Sequence, residues 1–156
     1  MTKQNLIFIS HAHIHAELAI LLKKIILDIF PMASVFVSSD DKSIDLGDKW
    51  LDKVNESLKS CEVMFVLLSK DSIHRSWIAF ETGVGWAKGI KVVPICFDGL
   101  LIKDLPLPFS QLSGVNIEQS NSLARMMRVI NDQFSYNVTL TNIDFNEYAK
   151  QIRDIK

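Results

Sequence analysis

Short, uninterrupted apolar runs alternate along this chain with longer stretches in which apolar residues recur at helical spacing. Leu6–Ser10 reads as a buried strand, because a run that is apolar at nearly every position suits a sheet covered on both faces. Ile14–Phe30 is predicted as a helix that Pro31 ends, since proline cannot continue the pattern. Its polar residues Glu17, Lys24 and Asp28 share one narrow stripe. Most of its circumference is therefore expected in the core, or in part against another copy of the protein. Val35–Ser38 is the second strand, followed by the polar loop Ser38–Ser43. Trp50, Leu51, Val54 and Leu58 recur at helical spacing within Asp48–Lys59. Val63–Leu68 and Lys91–Phe97 are the third and fourth strands. The helix between them runs to Lys88, with Ser76 as its N-cap and Gly89 just past its end. Beyond Asp98 the pattern weakens. Pro106 and Pro108 mark a loop, Gly114–Ile117 a short strand, and Leu123–Phe134 and Phe145–Ile155 two last helices.

Strand–helix alternation with apolar strands implies an α/β fold, a parallel sheet with helices on both faces. The loops after Ser10, Ser38, Leu68 and Phe97 then line the expected site, outside the carboxyl ends of the strands. A length of 156 residues suits one domain, expected over 1–156. Hydrophobic residues at 48% and charged residues at 22% fit a well-filled globular core. A net charge of −1 without a basic stripe argues against nucleic acid or an anionic membrane as partner. No apolar run has the length of a signal-peptide core or a membrane span, so a cytoplasmic location is expected. Cys61 and Cys96 form no CxxC pair and are expected as two buried thiols in a reducing compartment.

The residue that draws attention chemically is Glu81, within Ser76-Trp77-Ile78-Ala79-Phe80-Glu81-Thr82-Gly83. Trp77 and Glu81 stand i and i+4, one turn apart on the same helix face. With Phe80, Val84 and Ala87 taken as the apolar stripe, Glu81 points near the core side, close to the sheet edge. A carboxylate beside an aromatic ring there suits a ribosyl-binding pocket; the plainer reading is a partly buried glutamate paired with a Lys or Arg. His11, His13 and His15 directly follow a strand, a spacing some zinc hydrolases use. Only one further histidine, His74, and no obvious carboxylate cluster accompany them, so no metal is expected and His11 and His13 are read as solvent-facing. Gly83, Gly85 and Gly89 lie in or at the end of a helix, so neither a P-loop nor a dinucleotide fingerprint is present. Gly83 and Gly85 are expected to allow close helix packing.

Read in order, these segments resemble a Toll/interleukin-1 receptor (TIR) domain of the prokaryotic kind. Leu6-Ile7-Phe8-Ile9-Ser10-His11 is similar to the family's opening F-I-S-[YH] strand, and Gly47-Asp48-Lys49-Trp50 to the end of its BB loop. Phe65-Val66-Leu67-Leu68-Ser69, then Ser76-Trp77 with Glu81 four residues on, resembles its S-x-W-x-x-x-E stretch. Lys91-Val92-Val93-Pro94-Ile95 matches the next strand. The resemblance is good over residues 5–100 and loose beyond, where the helices of 120–156 are less sharply marked. It implies a flavodoxin-like three-layer fold with a central parallel five-stranded sheet. Many members cleave NAD+ to nicotinamide and ADP-ribose, or to cyclic or rearranged ADP-ribose. By the resemblance Glu81 is the catalytic glutamate and Trp77 the pocket tryptophan, with Ser10, His11, Ser39, Trp50 and Ser76 as further substrate-binding candidates. NAD+ is then a substrate, and no cofactor is implied. Bacterial members often serve in anti-phage defence and self-assemble before turning over NAD+, here through a BB loop near residues 39–48, and a separate effector or sensor protein is a further expected partner. Ile78 stands where many members have Cys after the tryptophan, a change that leaves Trp77 and Glu81 in place.

One carboxylate suffices for such chemistry. Most glycosidases need two, because an alkoxide leaving group must be protonated; nicotinamide leaves a pyridinium as a neutral molecule. The main alternative is a TIR domain that only assembles with other TIR surfaces, and such members often lack the glutamate present here. A nucleoside deoxyribosyltransferase-like enzyme shares a similar fold and a carboxylate nucleophile, but the S-x-W-x-x-x-E spacing argues against it. A response-regulator receiver would need acidic residues where this chain has Ser10-His11 and Ser69-Lys70.

Overall fold

The computed structural model describes residues 6–39 and 56–155. Five strands form one parallel sheet in the order β2-β1-β3-β4-β5: β1 Leu6–His11, β2 Ser34–Ser39, β3 Cys61–Leu68, β4 Lys91–Cys96 and β5 Val115–Asn116. This is the flavodoxin-like arrangement. The apolar runs predicted as strands are strands because helices cover both faces: every residue of β1 is buried, and so is almost every residue of β3.

Four α-helices lie wholly within the described residues: α1 Ala16–Ile29, α2 Ser76–Ala87, α3 Ser120–Phe134 and α4 Phe145–Arg153. Residues 56–60 are helical as well, and the rest of the predicted Asp48–Lys59 helix lies outside the described residues. Two cores result, one on each face of the sheet. Ile7 and Ile9 of β1 pack with α1, α3 and α4 on the first face. Leu6 and Phe8 pack with Leu58, with Ile78 of α2, and with Leu100, Leu105 and Phe109 of the β4–β5 connection on the second. Alternation along one strand thus sorts neighbouring residues to opposite sides.

α1 buries Leu18, Ala19, Leu22, Ile25, Ile26 and Ile29. Most of its broad apolar surface is therefore in the core, and Ile20 alone among its large apolar side chains is strongly exposed, at 64%. Lys24 and Asp28 pair across one turn at 2.9 Å on the wet side.

The short strand read at Gly114–Ile117 contracts to Val115–Asn116. At its entry a Cβ on Gly114 would stand 2.7 Å from the Pro94 carbonyl oxygen, so only glycine lets the chain pass this close to β4. The tail is pinned by Asn131 of α3, whose side chain donates to the Val138 carbonyl at 2.8 Å and accepts from its N–H at 2.9 Å. Asp144 then caps α4 by accepting from the N–H groups of Asn146 and Glu147.

Candidate active site

Ser10 stands near the end of β1 and Ser38 near the end of β2, and the two are register partners in the parallel ladder. Both side chains lie on the face that Leu6 and Phe8 define, beneath α2. Glu81 comes down from α2 between them. Ser10 Oγ donates to Glu81 Oε1 at 2.7 Å, and Ser38 Oγ donates to Oε2 at 2.6 Å. Glu81 is 0% exposed, and Ser10 and Ser38 are buried with it. Both carboxylate oxygens act as acceptors, each holding a short charge-assisted hydrogen bond worth about 1.5–3 kcal/mol. Glu81 is thus held by two hydroxyls from neighbouring strands.

The helix presents a different face from the one read in the sequence. Its buried residues are Ile78, Glu81, Thr82 and Gly85, whereas Phe80 is 50% exposed and Ala87 is also exposed. α2 is apolar almost all round, so periodicity could not say which side meets the sheet. Gly85 decides it. A Cβ there would stand 2.7 Å from Met64 Cε and 3.3 Å from Val92 Cγ2, whereas one on Gly83 would meet nothing within 4 Å. Gly85 therefore allows the close packing expected of both, and Gly83 does not.

Trp77 packs half-buried one turn before Glu81 and stacks on Phe80, ring centroids 5.5 Å apart. Ser76 is the first residue of α2 and exposed, with Arg75 in the N-cap position and no side-chain cap. The chain is turned before that point by Ser69 and Ser72, which exchange backbone N–H to hydroxyl bonds at 2.9 and 3.2 Å. At the other end Gly89 takes φ +73, the expected left-handed turn past the helix.

His11 closes β1 and is buried, not solvent-facing as expected; the strand runs one residue further than its apolar run and carries the imidazole under cover. His13 is exposed in a 3-10 turn. His15 bonds Ser69 Oγ through Nε2 at 2.8 Å and sets its ring edge-on to Phe97. Among the described residues no group of three or more His, Cys, Asp or Glu side chains could hold a metal ion. Ser39 ends β2 opposite His11 in the ladder, one position beyond the serine that reaches Glu81. Trp50 and most of the BB-loop range 39–48 lie outside the described residues.

Cys61 and Cys96 are free and buried, as expected. Burial pushes their thiols up to about 12 and about 11, which leaves them poor nucleophiles. None of the described helices is long and apolar enough to cross a membrane.

The family model described as "TIR domain" matches residues 7–129, well over half of the chain. The chain belongs to the TIR domain family. Among solved structures, the TIR domain of the Toll-related receptor TRR-2 from Hydra magnipapillata superposes with a TM-score of 0.62 at 13% identity, covering 80% of this chain and 97% of that one. At that identity the likeness concerns the TIR fold alone. The TIR domains of the activated Roq1 resistosome recognising the effector XopQ match at 15% identity over 96% of this chain and 97% of theirs, with a TM-score of 0.47 that adds nothing to the fold argument. No curated protein matches the chain closely. Within this TIR domain, then, the residues brought together are Ser10, Ser38 and Glu81, with Trp77 one helical turn away.

Proposed function

We propose that this TIR domain cleaves NAD+ at the bond between nicotinamide and ribose, releasing nicotinamide and ADP-ribose or a cyclic or derivatised ADP-ribose. The observation that carries the reading is the single carboxylate of Glu81, oriented at both oxygens by Ser10 and Ser38 near the carboxyl ends of β1 and β2. When the glycosidic bond breaks, its electron pair returns to the pyridinium nitrogen and neutral nicotinamide departs without a general acid. The ribosyl oxocarbenium left behind is stabilised by the fixed negative charge of Glu81, electrostatically or by a transient covalent bond. Water, or a nitrogen of the same molecule's adenine, then completes the reaction. Trp77 walls the nicotinamide side of the pocket. Because Glu81 is closed to solvent in this structure, substrate must displace one hydroxyl or the cover above it, and we assign that opening to homotypic assembly through the BB loop. By the resemblance to bacterial members, the setting we infer is anti-phage defence, with a separate sensor or effector protein.

Complete burial of Glu81 favours a second reading, a TIR module that assembles with other TIR surfaces and uses the glutamate only as a tie between α2 and the sheet. Incubating concentrated protein with NAD+, and following nicotinamide by chromatography beside Glu81→Gln, separates the two. Nicotinamide from the unaltered protein alone supports the enzyme, and its co-product distinguishes hydrolase from cyclase. Release by neither protein under conditions that assemble the domain supports the module, and equal release by both removes Glu81 from the chemistry.

A further inference from the structure

On the sheet face opposite Glu81, the carboxyl ends of the strands open into a cavity of about 610 Å³. Its position follows from the strand order. β1 leads into α1 on one face and β3 leads into α2 on the other, although β1 and β3 are neighbours. Diverging connections leave a crevice between them, the place where sheets of this order hold ligands. The volume lies within the roughly 300–1,000 Å³ of small-molecule sites.

The lining is of two kinds. Leu18 of α1, Phe97 after β4 and Ile152 of α4 supply an apolar floor continuous with the first core. Glu17, Asp71, Asp98 and Glu118 supply four carboxylates against the one guanidinium of Arg153, an excess of three negative charges. Two of these groups are anchored. The Asp98 N–H donates to Glu118 Oε1 at 2.7 Å, and Arg153 Nη1 donates to the Glu118 carbonyl at 3.1 Å. His15 forms part of the wall, tied to Ser69 and packed on Phe97. Burial lowers its pKa from the ordinary value of 6.5, against the pull of Asp98 and Asp71 and with Arg75 assisting, so at neutral pH it adds no cation.

This combination selects a ligand class. Phosphates and carboxylates meet an excess of like charge. A bare metal ion finds no converging ligand set among the described residues and leaves the apolar floor unused. We propose that the cavity is a second binding site, separate from Glu81, for a small organic cation with an apolar body. The ammonium group sits between the Asp98 and Glu118 carboxylates, and the hydrocarbon lies on Leu18, Phe97 and Ile152. An aromatic body gains additionally from Phe97.

The test needs no NAD+ and is independent of the role of Glu81. The protein is titrated with phenethylammonium, and with 2-phenylethanol as its uncharged counterpart, by two-dimensional NMR at neutral pH. Saturable shifts at Leu18, Phe97, Asp98 and Ile152 are expected, with the alcohol at least about tenfold weaker. The double variant Asp98→Asn, Glu118→Gln keeps the size of both side chains and an acceptor for the Asp98 N–H. It should weaken the amine about tenfold and leave the alcohol unchanged. If that variant does not fold, Ile14→Trp fills the mouth from a side chain that is already half-exposed, and should abolish amine binding. Absence of saturable shifts, equal binding of amine and alcohol, or undiminished binding to a folded variant overturns the proposal.

Discussion

Ser38 reaches across 43 positions of sequence to donate a 2.6 Å hydrogen bond to Glu81, and it does so from the strand at the edge of the sheet. Removing that hydroxyl leaves a buried carboxylate oxygen short of a donor. Ser38→Ala should therefore cost about 1–3 kcal/mol of stability, well beyond the loss of a surface serine. Ser10→Ala should cost a similar amount. Because both serines act on one carboxylate, their effects should be non-additive by at least about 0.5 kcal/mol in a double-mutant cycle followed by urea unfolding. Strict additivity would mean that the two bonds do not share the load.

Glu81 itself has a structural and a proposed chemical part, and two substitutions pull them apart. Glu81→Gln keeps the size and an acceptor, so it should unfold within about 1 kcal/mol of the unaltered protein. Glu81→Ala leaves a void and two buried hydroxyls without their acceptor, and should lose about 2–4 kcal/mol. Nicotinamide release, if the proposed reaction holds, falls by about a thousandfold or more in both. A stable Glu81→Gln protein with full turnover would remove Glu81 from the chemistry.

The two glycines of α2 should respond with opposite signs. Gly83→Ala places a methyl in open space and gains helix propensity, a stabilisation of about 0.5–1 kcal/mol. Gly85→Ala crowds the terminal methyl of the buried Met64 at 2.7 Å and Val92 Cγ2 at 3.3 Å, and the repacking this forces should destabilise by about 1 kcal/mol. Melting temperatures read the difference directly.

His15 should make stability pH-dependent on the acid side of neutrality. Its pKa is lower in the folded chain than the ordinary 6.5 of the unfolded one, chiefly through burial. The unfolded state therefore takes up a proton that the folded state refuses. The contribution is fully present above about pH 6.5 and is lost as the pH falls below it. His15→Gln retains a partner for Ser69 and removes the titration. Its unfolding midpoint should fall less between pH 7 and pH 5 than that of the unaltered protein; an equal fall would assign the acid sensitivity to other groups.

The strands were legible because a run like Val63–Leu68, apolar at every position, leaves little choice but a covered sheet. That Trp77 and Glu81 share a helix face was legible from their i, i+4 spacing, whereas the Phe80, Val84 and Ala87 stripe that pointed Glu81 toward the core is not the buried face. The buried face of α2 was not legible, because Phe80, Val84 and Trp86 offer apolar candidates on more than one side, and only the contact of Gly85 with Met64 selects among them. Ser38 was missed in favour of Ser39 for a related reason. Which serine of an adjacent pair faces a distant carboxylate depends on strand register, a long-range property that local patterns do not carry. His11 and His15, neighbours in an HxHxH run from which no metal is expected, part in the fold, one inside the strand and the other on the turn that follows.

Ser10 and Ser38 sit opposite one another in a parallel ladder, and neighbouring strands keep a separation of about 4.8 Å. The cradle for the carboxylate is thus dimensioned by the backbone repeat of the sheet and owes nothing to loop conformation. Any parallel pair with serines at matched positions near its carboxyl end, roofed by a helix bearing a glutamate, reproduces the same spacing. The loops around it can then diverge in length and composition while the carboxylate keeps its address.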